Sequence, residues 1–189
     1  MHAGPFGNIA TGNSSVIADL IGIHTGDFLI TEAGFGADMG AERFFNIKCR
    51  TSGLVPDAAV VVATVRALKA HSGKYKVVAG KPLPPDLLAE NPDDVLAGAA
   101  NLRKQLENVA LHGVPPVVAI NAFPTDHASE HDVIRAVADE MGARSAVCTS
   151  TGVFSMVCIR FGLIASRRIT AIDPAAASSS AVTGEPAAV

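Results

Sequence analysis

A glycine-rich segment that carries two carboxylates directly follows an apolar run over residues 27–31. The segment reads Thr31-Glu32-Ala33-Gly34-Phe35-Gly36-Ala37-Asp38-Met39-Gly40. Its glycines allow a ligand to approach the backbone closely and leave N–H groups free to point at an anion. Glu32 and Asp38 are candidate catalytic residues, since carboxylates position Mg²⁺, a monovalent cation or a reacting group. The alternative is a tight strand-to-helix connection with a capping aspartate, because the glycine spacing is not that of a dinucleotide-binding loop.

A second polar loop, Asn121-Ala122-Phe123-Pro124-Thr125-Asp126, follows the apolar run over residues 116–120. Asn and Asp after a buried parallel strand are loosely similar to the base-reading loop of P-loop nucleotide hydrolases. In that loop the Asn braces the backbone and the Asp accepts hydrogen bonds from the base. Asn121 and Asp126 are therefore candidate nucleotide-binding residues. Asn, Pro and Asp are also common turn formers, so a plain polar turn is the alternative.

Two basic residues, Arg66 and Lys69, follow the strongest strand candidate, the unbroken apolar run over residues 58–64. Cations at the carboxyl end of a buried strand are able to meet an anionic ligand there. Two solvated cations are the simpler interpretation, and the sequence favours it.

The stretch Asn46-Ile47-Lys48-Cys49-Arg50 would place its two cations on one side if it were extended. No histidine lies convincingly beside Cys49 in the sequence, so an inert buried cysteine is the favoured interpretation over a nucleophile. The Gly/Asn/Ser-rich opening over residues 2–14 indicates a loop, which is also able to present N–H groups to an anion.

These segments are positioned by alternating strands and helices. Apolar runs predict strands, and apolar residues at helical spacing between them predict helices that stop near Gly113 and Gly142. The strands are expected at 27–31, 58–64, 116–120 and 144–149, and the helices at 15–23, 93–111 and 129–141. This alternation predicts an α/β fold with a mostly parallel sheet and helices on both faces. The loops Gly34 to Gly40 and Asn121 to Asp126 should then lie at the same sheet edge.

The composition excludes several classes of protein. The 189 residues carry a net charge of −3, which argues against nucleic-acid binding by bulk charge. No apolar run approaches the roughly 20 residues of a membrane-spanning helix, so no membrane partner is expected. Three cysteines without a CxxC pair argue against a disulfide scaffold or zinc site and fit a reducing cytoplasm. The histidines show no ligand-like spacing and are interpreted as surface or core residues: His24, His112, His127 and His131.

Four segments together resemble the formate–tetrahydrofolate ligase family, also called formyltetrahydrofolate synthetase. The family pattern is similar to H-A-G-P-F-A-N-I-A-H-G-N-S-S, T-E-A-G-F-G-A-D-x-G-x-E-K-F-x-N-I-K-C-R, V-A-T-[IV]-R-A-L-K-x-[HN]-G-G and N-x-F-x-T-D. These patterns match, in the family's order, His2 to Ser15, Thr31 to Arg50, Val62 to Gly73 and Asn121 to Asp126. The resemblance covers about residues 2–149.

The resemblance implies an ATP-dependent ligase that joins formate to tetrahydrofolate through formyl phosphate and yields 10-formyltetrahydrofolate. It implies Mg²⁺ and a stimulating monovalent cation as cofactors, and tetrahydrofolate, formate and ATP as partners, with a homo-oligomer possible. Gly34, Phe35 and Gly36 would line the formyl-phosphate and folate region. Asn121, Phe123 and Asp126 would lie near the adenine.

The chain also departs from that family. No G-x-x-x-x-G-K-[ST] motif occurs, since Gly73-Lys74 precedes Tyr75 and Gly80-Lys81 precedes Pro82. The expected core is thus P-loop NTPase-like without its Walker A segment, and the isolated chain is expected to be inactive. The alternative is a non-catalytic nucleotide-binding or interaction domain that complements a separate N-terminal piece.

The expected organisation has three parts. Residues 1–149 would form a partial α/β domain, and residues 150–173 a divergent segment. Its apolar portion, Val153 to Ala165, suits either a strand or a helix. Residues 174–189 are poor in large apolar side chains and are expected to form a disordered tail.

Overall fold

The structure, a computed structural model, describes residues 13–33, 36–78, 80–148 and 162–167. The side chains of Glu32 and of residues 162–167 lie outside that description. The helices are α1 (Val16–Thr25), α2 (Ala37–Arg43), α3 (Arg50–Ser52), α4 (Val65–His71), α5 (Pro85–Leu88), α6 (Pro92–Ala110) and α7 (Ala128–Glu140). The strands are β1 (Phe28–Glu32), β2 (Ala58–Ala63), β3 (Pro116–Asn121), β4 (Arg144–Cys148) and β5 (Gly162–Arg167).

The five strands form one sheet in the order β1-β5-β2-β3-β4. Strands β2, β3 and β4 are parallel, with Val61 opposite Val118 and Val118 opposite Ser145. Strand β5 is antiparallel to both of its neighbours, β1 and β2. The α/β class with a mostly parallel sheet is therefore confirmed.

One face of the sheet carries the hydrophobic core. Val61, Val118 and Ile120 point into it and are almost inaccessible to solvent, because α4, α6 and α7 cover them. On the other face, Phe28 and Ile30 of β1 are 72% and 60% exposed. Helical cover is thus confirmed for one face, while the described part of the chain leaves the β1 end of the other face open.

The predicted strands and the three predicted helices all occur, with ends shifted by one or two residues. Residues 46–50 are not extended, so the condition under which their two cations would share one side is not met. Residues Phe44–Cys49 form a π-helical segment that joins α2 to α3 in one continuous helix. Within that helix Lys48 is buried and forms an ion pair with Asp19 of α1, whereas Arg50 is exposed. The two cations therefore do not lie on one side.

Helices α4 and α6 approach each other closely at Gly98. A Cβ atom at this position would lie 1.8 Å from the carbonyl oxygen of Leu68. Only glycine lets the two backbones come this near, because the obstacle is main chain rather than a flexible side chain. The contact fixes α4, and with it the residues that follow β2, against the core helix α6.

Several of the sequence predictions fall partly or wholly on residues outside the description. The opening loop over residues 2–14 is described only at Asn13 and Ser14. The predicted disordered tail, residues 174–189, lies outside the described residues altogether. Of the segment that suited either a strand or a helix, residues 162–165 are strand and belong to β5. Within the described residues, no helix has the length and apolar character needed to cross a membrane.

Candidate functional site

The two predicted loops lie at the same edge of the sheet, as expected. Strand β1 is antiparallel to β5, β5 is antiparallel to β2, and β2 is parallel to β3. Strands β1 and β3 therefore run in the same direction, and the loops after them share the carboxyl edge. Strands β5 and β2 stand between β1 and β3, so three strand spacings, or about 14 Å, separate the two loops.

The first loop is described only in part. The backbone of Glu32 ends β1, while its side chain and the candidates Gly34 and Phe35 lie outside the described residues. Gly36 is the N-cap residue of α2, and Asp38 is an exposed residue of its first turn. A Cβ at Gly36 would lie 2.7 Å from the Asp38 Oδ1 atom, so the glycine makes room for that carboxylate.

The second loop is a tight turn closed by the Asp126 carboxylate. The Phe123 N–H donates to Asp126 Oδ2 at 2.9 Å, and the Asp126 N–H donates to the Phe123 carbonyl oxygen at 2.9 Å. The Asp126 side chain is only 2% exposed. One carboxylate oxygen therefore braces the loop, a role that the sequence interpretation had given to Asn121.

Arg66 joins this loop to the end of β2. Its guanidinium carbon lies 4.0 Å from the centre of the Phe123 ring, and its Nη2 donates to Thr125 Oγ1 at 2.8 Å. This is a cation–π contact between a planar guanidinium and a half-buried aromatic ring. The Arg66 Nε atom is buried and has no hydrogen-bond partner within the described part of the chain. The solvated-cation interpretation is therefore wrong for Arg66.

His131 of α7 completes the group of polar residues around the loop. Its Nε2 lies 3.6 Å from Asp126 Oδ2, and the histidine side chain is 13% exposed. Like Arg66 Nε, this ring nitrogen is buried without a hydrogen-bond partner among the residues described. The sequence interpretation missed His131, although its place five residues after Asp126, on the helix that follows the loop, was an available signal.

Lys69 is not a solvated cation either. It forms an ion pair with Glu130, and each side chain is 1% exposed. Lys69 Nζ also donates to the carbonyl oxygens of Leu87 and Ala89, at 3.2 and 2.5 Å. These contacts attach α4 to α5 and to the start of α7. Lys69 is therefore a structural residue, which supports the site by holding the neighbouring helices together.

Glu130 holds two chain segments near the site. Its carboxylate accepts from the backbone N–H groups of Asn91 and His127, both at 3.0 Å. Burial alone would raise the pKa of Glu130, but the hydrogen bonds from Lys69 and from these two N–H groups outweigh it and hold the pKa below its usual value. The charged carboxylate thus caps α7 and fixes the segment that leads into α6.

The glycine–lysine pair at Gly73-Lys74 does not form a phosphate-binding loop. Lys74 forms an ion pair with the buried Asp94 carboxylate, which also accepts from the Tyr75 hydroxyl at 2.5 Å. The hydrogen bond to Asp94 raises the pKa of Tyr75 to about 12. Lys74 is therefore engaged at the beginning of α6, in support of that helix.

Cys49 fits the inert interpretation. It is half-buried, and burial raises the pKa of its thiol to about 11, which outweighs the opposing effect of the nearby Lys48. A thiol with this pKa stays protonated at neutral pH and is a poor nucleophile. In the described ranges, no three His, Cys, Asp or Glu side chains lie close enough together to hold a metal ion.

Comparison with known proteins gives one consistent family. A family model described as "Formate--tetrahydrofolate ligase" matches residues 1–153. A formate–tetrahydrofolate ligase of Saccharopolyspora erythraea is 79% identical over 147 residues, which are 78% of this chain and 26% of that protein.

More distant relatives agree. The ligase of Cutibacterium acnes is 70% identical over 79% of this chain and 26% of its own length. That of Chloroflexus aurantiacus is 63% identical over 76% of this chain and 25% of its own length. The chain thus spans about a quarter of the length of these curated relatives. All of its candidate site residues lie inside the matched region.

Proposed function

The chain belongs to the formate–tetrahydrofolate ligase family, and we propose that it provides the adenine-side part of the nucleotide site of such a ligase. The observation that carries the proposal is the stack of Arg66 on Phe123 at the carboxyl edge of the sheet. Ligands bind at this edge in open α/β sheets. Arg66 covers one face of the Phe123 ring, and we propose that the adenine stacks on the other face.

The complete reaction joins formate to tetrahydrofolate at the expense of ATP. A formate oxygen attacks the terminal phosphorus of ATP, which gives formyl phosphate and ADP. The amine of tetrahydrofolate then attacks the formyl carbon, phosphate leaves, and the amine loses a proton to give 10-formyltetrahydrofolate. In this scheme Asn121, Phe123 and Asp126 hold the base, and the Glu32–Asp38 segment faces the reacting groups.

The loop around Phe123 is well prepared for a base. Asp126 fixes the turn by accepting from the Phe123 N–H, so the ring has little freedom left to lose when a nucleotide binds. Arg66 and His131 each bring a buried nitrogen with unused hydrogen-bonding capacity to the same loop. Buried polar atoms without a partner are rare in folded proteins, and a bound base would supply the missing partner here.

The isolated chain is proposed to be inactive. Phosphoryl transfer depends on backbone N–H donors and a lysine that neutralise the phosphates, together with Mg²⁺. The two Gly-Lys pairs of this sequence do not continue into Ser or Thr, and Lys74 is held by Asp94. Mg²⁺ and a monovalent cation belong to the proposal as companions of ATP. The described carboxylates do not gather into a set of ligands for these ions.

The first test measures turnover. With ATP, formate and tetrahydrofolate, the chain alone is expected to form no 10-formyltetrahydrofolate above the background rate. Addition of the part of the Saccharopolyspora erythraea ligase that precedes its matching region is expected to raise the rate. Robust turnover by the chain alone would contradict the proposal. Nucleotide binding without turnover in either assay would favour the second candidate, a non-catalytic nucleotide-binding or interaction domain.

The second test measures nucleotide binding. Titration of ATP by calorimetry should show that Asp126→Ala binds roughly ten- to a hundredfold more weakly than the wild type, because a buried, charge-assisted hydrogen bond contributes about 1.5–3 kcal/mol. Asp126→Asn keeps an acceptor for the Phe123 N–H. If Asp126 acts only by bracing the loop, this variant should lose less affinity for ATP than Asp126→Ala. Asp132→Ala is the matched control, since Asp132 is 68% exposed on α7. Equal affinities in all four proteins would remove Asp126 from the site.

A further inference from the structure

A single strand position separates β1 from β2. The two strands run in the same direction, are joined through α2 and α3, and are both hydrogen-bonded to the strand between them. That strand, β5, is antiparallel to each: Ile164 is opposite Thr31 of β1 and Ala59 of β2. Without an occupant, the inner edges of β1 and β2 would both present unpaired backbone groups next to the core.

The occupant comes from outside the family match. The match ends at residue 153, whereas β5 begins at Gly162. Strands β1 and β2 both lie within residues 1–153, which the family model matches, and 147 residues of the chain are 79% identical to the ligase of Saccharopolyspora erythraea. That relative therefore shares the two flanking strands. A strand that fills the same position in it has to come from the other three-quarters of its length.

Strand β5 is also a weak competitor for this position. Its sequence is Gly-Leu-Ile-Ala-Ser-Arg, with one β-branched residue, while the neighbouring β2 contains three consecutive valines. Gly, Ala and Ser have little preference for strands. A segment rich in Val and Ile could also pair with both β1 and β2, and it would favour the strand conformation more.

We propose that residues 162–167 are a built-in substitute strand, which holds the position between β1 and β2 that a strand from the unmatched part fills in the longer ligases. The partner that fits this position is an apolar, β-branched strand from the unmatched part of such a ligase. When supplied in trans, it displaces β5. This inference concerns the sheet and does not depend on what the Phe123 loop binds.

The proposal is tested in the full chain with Ile164→Pro. Proline removes a backbone donor and is not tolerated in the middle of a sheet. Hydrogen exchange of the β1 amides is expected to rise at least tenfold, because β5 is the one sheet neighbour of β1 among the strands described. The β3 and β4 amides should be unaffected, since their pairing does not involve β5. If the proline variant fails to fold, Ile164→Gly takes its place. Glycine keeps the backbone N–H, so a smaller rise in the hydrogen exchange of the β1 amides is expected.

The second measurement is binding of the unmatched part of the Saccharopolyspora erythraea ligase, supplied as the segments before and after its matching region. It is expected to bind Ile164→Pro or Ile164→Gly at least tenfold more tightly than the wild type, because the competing strand has been weakened. Ala175→Pro is the control, since it lies beyond the sheet residues, and should match the wild type in both measurements. Unchanged exchange of β1 in both Ile164 variants, equal binding to all four proteins, or binding to none of them would overturn the proposal.

Discussion

Replacing Lys69 by methionine is expected to lower the free energy of unfolding by about 3–5 kcal/mol, the usual cost of removing one partner of a buried ion pair. Lys69 and Glu130 are each 1% exposed, so neither charge is solvated in the folded chain. The substitution leaves the Glu130 carboxylate buried without its counter-charge, and the carbonyl oxygens of Leu87 and Ala89 lose a donor. Urea denaturation followed by circular dichroism measures the loss.

The matched control is Lys104→Met. Lys104 is paired with Glu107 on the surface of α6, with exposed fractions of 60% and 53%. Exposed pairs of this kind contribute about 0–1 kcal/mol, so this variant should unfold close to the wild type. Similar losses of unfolding free energy in the two variants would show that burial does not increase the contribution of the Lys69–Glu130 ion pair to stability.

The stability lost in Lys69→Met should also depend on pH, in a direction that the pKa of Glu130 determines. In the wild type the folded pKa of Glu130 is below its unfolded value, so its stabilising effect is present above about pH 4.3 and is lost as pH falls through the folded pKa. In Lys69→Met the main opposing charge is gone, and burial raises the pKa of Glu130. Protonation then relieves the buried charge. The difference in unfolding free energy between variant and wild type should therefore shrink as the pH falls.

Gly98→Ala is expected to cost about 3 kcal/mol of stability, although alanine is the better helix former. The added methyl group would meet main-chain atoms of Leu68, its oxygen at 1.8 Å and its carbonyl carbon at 2.7 Å. Helices α4 and α6 therefore have to separate. The midpoint of thermal unfolding measures the effect.

The reverse substitution at the preceding position, Ala97→Gly, is the control. Ala97 is exposed on the same helix, so this change lowers stability only through helix propensity, by about 1 kcal/mol. The two variants thus change the residues in opposite senses, and both are expected to destabilise for different reasons. A stabilised Gly98→Ala would show that the helices do not pack as closely as described.

The sequence predicted local structure better than pairing between distant segments. The long helix α6 and the strands β2 and β3 follow from local periodicity, and they were placed within one or two residues. The common direction of β1 and β3, and hence the shared edge of the two loops, follows from strand–helix alternation. The similarity of Asn121 to Asp126 to the base-reading loop of P-loop nucleotide hydrolases also indicated a loop with a bracing side chain, although the brace is Asp126.

The burial of cations could not be predicted in the same way. Lys69 has its carboxylate partner 61 positions later in the chain, and Lys48 is paired with Asp19 from another helix. Nothing in the local pattern distinguishes these lysines from exposed ones, because burial depends on which helices meet. The stack of Arg66 on Phe123 has the same origin, since it joins the residues that follow two different strands.

The strand order also decides when the chain can finish folding during synthesis. Among the described strands β1 is made first, yet its partner β5 is made last, and 139 positions separate Phe28 from Arg167. Helix α6 and strands β2 to β4 can assemble earlier, since their pairing is more local. Until β5 arrives, the edge of β1 that pairs with it has no partner among the described strands and stays free on a nascent chain. Among the described strands, β1 is therefore the one that most needs a chaperone while the chain is being translated.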